Sequence, residues 1–129
     1  MITKVRKALF FSLILLVLTG CGEYNRVLKS RDNDYKFEYA KRAYSEGKYL
    51  QATTILNDLI TPLRGGPKGE DALFLLAESY FGNKDYMNSG VYYKTYYQRY
   101  PRGKYVEEAR FKAALGYDRE SPDPQLDQS

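Results

Sequence analysis

Phe37, Phe74 and Phe111 stand 37 residues apart, and so do Ala40, Ala77 and Ala114. Tyr49 with Tyr86, Ile55 with Tyr92 and Leu59 with Tyr96 keep the same interval. No other feature of the chain restricts its fold as much. A period of this length means one supersecondary unit, copied, which buries its apolar face only by stacking on its neighbour.

Each unit reads as two helices. Over residues 35–46, Tyr39, Ala40, Ala43 and Tyr44 share one face. Gly47 ends that helix, as Gly does at a C-terminus. Residues 49–60 follow, with Tyr49, Ala52, Ile55, Leu56 and Leu59 on one stripe, and Thr61-Pro62 breaks the run. Residues 64–69, rich in Gly and Pro, form a loop that lengthens the unit. The second unit predicts helices over 70–81 and 86–98, with Gly82-Asn83 as the turn and Asp85 as an N-cap. Residues 105–119 open a third unit, halted by Ser121-Pro122-Asp123-Pro124.

This pattern resembles the tetratricopeptide repeat. The second unit carries it in Leu73, Leu76-Ala77, Tyr80, Tyr86, Ser89, Tyr93, Tyr96 and Pro101. The first carries it in Tyr39-Ala40, Ala43, Gly47, Tyr49, Ala52, Leu56 and Leu59. Small residues such as Ala40, Ala52, Ala77 and Ser89 let paired helices approach closely, while Leu56 and Tyr93 fill the space beside them. Lys36 departs from the family, which has a large apolar residue there. The fold class expected is all-α, a tetratricopeptide-repeat solenoid of two repeats and the first helix of a third. An ordinary helical bundle is the alternative.

The N-terminus has another character. Residues 8–18 are apolar except for Ser12 and follow Lys4, Arg6 and Lys7. The run is well short of the roughly 20 residues that span a bilayer. It has the marks of a secretory signal peptide. Its end, Leu18-Thr19-Gly20-Cys21, resembles the lipobox of bacterial lipoproteins. The resemblance implies removal of residues 1–20, a diacylglyceryl group on the Cys21 thiol and acylation of the new amino terminus. No cofactor is expected besides that covalent lipid. Gly22, in place of the Asp that commonly retains lipoproteins in the inner membrane, favours the outer membrane. A plain N-terminal membrane anchor, or a chance cysteine beside an ordinary cleavage site, stays open.

Cleavage changes the charge. The full chain has 20 basic and 16 acidic residues, a net of +4. Lys4, Arg6 and Lys7 leave with the signal, so the remainder is close to neutral and lacks the dense basic field that nucleic-acid binding needs. The full chain has 14 Tyr, 6 Phe and no Trp, and rings of this kind suit half-exposed helix contacts. There is no His for general base work or metal binding, and the one Cys sits at the lipid position. Gly47-Lys48-Tyr49 and Gly65-Gly66-Pro67-Lys68-Gly69 lack the spacing of phosphate loops. Glu23, Glu107 and Glu108 read as solvated charges. An enzyme is not expected.

What remains is a binding surface. In tetratricopeptide solenoids the first helices line a concave groove. Carried across, the groove positions are Phe37, Lys41 and Tyr44, then Phe74, Glu78 and Phe81, then Phe111. Aromatic rings with a few charges suit an extended peptide. Phe37, Phe74 and Phe111 equally suit packing between units. Tyr92, Tyr97 and Tyr100 lie on the outer helix and suit packing or a surface near the membrane.

A lipobox, a short linker and tandem repeats together resemble the BamD-like lipoproteins of the outer-membrane β-barrel assembly machine. Cys21-Gly22-Glu23-Tyr24-Asn25 with Val27-Leu28-Lys29-Ser30 looks like their linker. Tyr96-Tyr97 with Tyr100-Pro101-Arg102-Gly103 looks like the end of their second repeat, and Ser121-Pro122-Asp123-Pro124 with Leu126-Asp127-Gln128-Ser129 like their third-repeat insertion. The organisation expected is a signal peptide (1–20), a lipidated linker (21–33), repeats (34–120) and the start of a truncated third-repeat loop (121–129). The resemblance implies a lipid-anchored, periplasm-facing outer-membrane scaffold. Its implied partners are a BamA-like barrel subunit and unfolded outer-membrane proteins. Other repeat lipoproteins, of cell-envelope or pilus assembly, and SusD-like glycan-binding lipoproteins are the alternatives.

Overall fold

The computed structural model describes the backbone of residues 1–121 and the side chains of residues 1–15 and 22–121. The loop expected at the C-terminal end and the side chain of Cys21 lie outside these described residues. Within them the protein is all-α: α1 (Ile2–Lys29), α2 (Asn33–Ser45), α3 (Tyr49–Leu59), α4 (Gly69–Gly82), α5 (Tyr86–Arg99) and α6 (Val106–Glu120). From α2 onward each helix packs on the next in sequence, the neighbour-on-neighbour order of a tetratricopeptide-like solenoid.

The helix ends follow from local chemistry. The Asp32 carboxylate accepts the free N–H groups of Asp34 and Tyr35 and caps α2. Asp85 caps α5 through the Asn88 N–H at 3.1 Å. At the other end of α2, Gly47 N–H donates to the Tyr44 carbonyl and Lys48 N–H to that of Ala43. Lys84 and Asp85 donate in the same way to Phe81 and Tyr80. Both α2 and α4 therefore close in Schellman motifs, which need a left-handed residue at the turn. Gly47 supplies it at φ 76° and Lys84 at φ 61°. The expected turn at Gly82-Asn83 thus lies slightly further on, because α4 continues through Gly82.

Two cores hold the stack. The first joins Val27 of α1 to Phe37, Tyr39, Ala40 and Ala43 of α2, Ala52, Ile55, Leu56 and Leu59 of α3, and Ala72 and Leu76 of α4. The second gathers Leu73, Phe74 and Ala77 of α4, Tyr93 and Tyr96 of α5 and Ala109 of α6. Ala40, Ala52, Ala77 and Ser89 are fully buried, as their role in close helix approach requires, and so are Leu56 and Tyr93. Lys36 fits the apolar position it occupies. It is only 8% exposed, and its ammonium reaches Asp58 at 3.4 Å.

The segment read as a linker is helical up to Lys29, and Val27 is completely buried. By contrast Ile2, Val5, Leu9, Phe10 and Phe11, within the expected signal, are exposed and lie outside the cores. Among the described residues no helix is long and apolar enough to cross a membrane.

Candidate peptide-binding groove

The first helices of the two units present matching faces. On α2, Phe37, Lys41 and Tyr44 recur at spacings of four and three. On α4, Asp71, Phe74, Leu75 and Glu78 recur at three, one and three. Together with Tyr105, just before α6, these residues line an open cavity of about 320 Å³. Five of the seven expected groove residues are therefore brought together: Phe37, Lys41, Tyr44, Phe74 and Glu78. Phe37 and Phe74 each line the cavity while most of the residue is buried in a core. The Phe74 ring stacks on Tyr105 at 4.2 Å and 12°.

The other two lie elsewhere. Phe81 turns toward α5 and α6, where its ring meets Tyr86 at 5.2 Å and Tyr93 at 6.2 Å. Lys112 and Arg119 sit over it as cations. Phe111 is 67% exposed on α6 and lines none of this cavity.

Glu78 has a role that its spacing did not reveal. Its carboxylate accepts from the Tyr44 hydroxyl at 3.2 Å, the Tyr93 hydroxyl at 2.6 Å, and the Lys112 ammonium at 2.6 and 2.7 Å. Its side chain is 11% exposed. It thus ties α2, α5 and α6 to α4. Burial first, then the Glu78 carboxylate, pushes the Tyr44 hydroxyl up to about 12. Burial and the same carboxylate hold the Tyr93 hydroxyl far above the ordinary tyrosine range. Burial lowers the Lys112 ammonium, but the hydrogen bonds it donates to Glu78 and Glu108 outweigh it and the net shift is upward.

The remaining charges of the groove are unequal. Asp71 is engaged by Lys104 at 2.9 Å and by the Tyr105 hydroxyl at 3.3 Å. Among the described residues Lys41 pairs only with the exposed Glu38, at 2.7 Å, and its ammonium lies 5.1 Å from the Phe37 ring centre. An exposed ion pair contributes little and exchanges readily. Lys41 is therefore the charged side chain of this surface most open to a ligand. Asp71, Leu75, Tyr105 and Lys112 were missed from sequence. Asp71 had a signal, since it repeats Asp34 after 37 residues, and Lys68 engages Asp34 at 2.7 Å as Lys104 engages Asp71. Glu23 and Glu108, read as solvated, pair with Arg42 and Lys112 respectively.

The outer tyrosines pack. Tyr80 and Tyr92 stack at 5.4 Å with only 2° between planes, and Tyr92 donates to Asn57 at 3.1 Å. Arg110 covers Tyr97 at 5.3 Å.

Residues 30–128 match the family model YfiO, described as an outer membrane lipoprotein. The chain belongs to this family. The match begins after the apolar N-terminal run and takes in both repeats and α6. YfiO is the BamD-like family, so the repeat architecture and the membership agree. Membership makes the protein an outer-membrane assembly lipoprotein in general terms, in a family of non-enzymatic scaffolds with protein partners. No curated protein matches the chain.

Proposed function

We propose that this YfiO-family protein is a lipid-anchored, periplasm-facing scaffold of the β-barrel assembly machine. Its membrane attachment is the lipid on Cys21, after removal of residues 1–20. Its groove receives extended, aromatic-rich segments of unfolded barrel proteins, and a BamA-like subunit is its partner in the machine. The observation that carries this reading is the cavity between α2 and α4. There Phe37, Tyr44 and Phe74 offer aromatic surface beside the accessible ammonium of Lys41. Rings give sequence-tolerant apolar contact, and one cation orients the chain by its polar groups.

Two experiments test it. Photocrosslinkers placed at Lys41 and Tyr44 should capture nascent barrel proteins, while the same group at Tyr92 or Tyr97 should not. Efficient capture from the outer helix alone would refute the groove. Metabolic labelling with radioactive palmitate should mark the wild type and not Cys21→Ala. Equal labelling would end the lipoprotein claim.

A further inference from the structure

Little slack separates residue 21 from the first repeat. Val27 is buried in the first core, Tyr24 stacks on Tyr39 at 6.2 Å, and Glu23 pairs with Arg42. Past α1, the Ser30 N–H donates to the Val27 carbonyl at 3.1 Å, and the Ser30 hydroxyl accepts from the Asp32 N–H at 3.1 Å. Asp32 then caps α2. A peptide spans at most about 3.5 Å per residue, so Tyr24, already stacked on the first unit, lies within about 10 Å of residue 21.

The outward side of this segment has one sign of charge. Gly22, Asn25, Arg26 and Lys29 are exposed at helical spacing, and Arg31 follows, also exposed. The nearby acids are engaged: Glu23 by Arg42, Asp32 in the α2 cap, and Asp34 by Lys68. At ~1.5 Å rise per residue, Arg26 and Lys29 lie ~8 and ~12 Å along α1 from residue 21. Arg26 is therefore about one Debye length, ~8 Å at physiological salt, from residue 21, and Lys29 about one and a half.

We infer that this basic stripe is a membrane-contact surface for anionic phospholipid headgroups. It seats the first repeat directly on the bilayer. The inference rests on the lipid attachment proposed above for Cys21. Acyl chains and a basic patch form a two-part membrane signal, and each cation near an anionic surface adds about fivefold to partition. Because α1 packs on α2 and α3, this seating also sets the direction in which the groove faces.

The test uses the full lipidated protein in vesicles of phosphatidylcholine, with and without phosphatidylglycerol. A nitroxide on Asn25→Cys reports approach to a gadolinium-bearing lipid headgroup, and one on Tyr117→Cys serves as the distant control. Cys21 is blocked by its own lipid. Strong relaxation is expected at residue 25 and little at residue 117. Combining Arg26→Glu with Lys29→Glu should abolish the part that depends on phosphatidylglycerol; both side chains are exposed, so the fold is retained. Equal relaxation at the two positions, or no response to charge reversal, overturns the inference while leaving the anchor intact. Protein that fails to partition with the vesicles overturns the anchor, and this inference with it.

Discussion

Lys84 occupies the left-handed turn position that Gly47 holds 37 residues earlier, with φ of 61° against 76°. Both residues close Schellman motifs with the same pair of backbone bonds. A side chain at positive φ crowds the carbonyl that follows it, and glycine has no such cost. Lys84→Gly should therefore stabilise the protein by about 1 kcal/mol, a rise of roughly 4–8 °C in Tm. Gly47→Ala should lower it by a similar amount, although no atom lies within 4 Å of the added Cβ. Thermal melts followed by circular dichroism compare the two.

Gly82 carries a packing constraint. A Cβ added there would lie 2.6 Å from the Tyr49 ring, which is held edge-on to Tyr44 at 5.7 Å. Gly82→Ala should cost roughly 1–3 kcal/mol by overpacking. Combining it with Tyr49→Leu should recover part of that loss. Urea titration of the two single variants and the double variant measures the coupling. Additive effects would show that the ring moves aside freely.

Glu78→Gln removes the charge that holds Lys112 and accepts two tyrosine hydroxyls. The loss should be about 2 kcal/mol, because a mostly buried ammonium keeps only the more exposed Glu108 carboxylate. Replacing both partners, as Glu78→Leu with Lys112→Met, should cost less than the two single changes together. Chemical denaturation of the four proteins closes the cycle.

Stability should fall in alkali. Burial, then the Glu78 carboxylate, raises the Tyr44 hydroxyl in the folded state from 10.0 to about 12, so folding favours its protonated form. This contribution is whole below pH 10. It is lost as pH rises toward 12, where the unfolded chain releases the proton first. Tyr93 and Tyr96 are shifted in the same direction, each chiefly by burial. Urea midpoints should hold steady up to about pH 9 and decline beyond pH 10. Tyr44→Phe should soften the decline. A flat profile to pH 12 would show that these hydroxyls ionise as freely folded as unfolded.

The helices were legible because each rule behind them is local. Asp85 capped where an Asp before an amphipathic run should cap, Gly47 stopped α2, and the five repeat helices begin and end within two residues of the periodicity. The core positions Ala40, Ala52, Leu56, Ala77 and Tyr93 followed from the repeat itself. The burial of Val27 was not legible, since it lies outside the repeat in a segment that also carries Asn25, Arg26 and Lys29. Nor was the fate of Phe81 and Phe111, which share a repeat register with Tyr44 and Phe74 but face other surroundings.

By itself the sequence determined the period, the helix pairs, the Asp85 cap, the Gly47 stop and the apolar stripe of each helix. The helix ends and stripes depend on residues a few positions apart on one helix, and the period on matching them along the chain. Only the tertiary structure decided which polar side chains meet between units. Tyr44 with Glu78, Glu78 with Lys112, Asp34 with Lys68 and Asp71 with Tyr105 are each separated by 34 residues, one helical turn short of the 37-residue repeat. A period counted along the chain says nothing of how far one helix is displaced along the next. That displacement comes from packing the bulky residues of one unit against the small residues of another. It made Glu78 a tie between three helices and left Lys41 as the accessible charge in the groove.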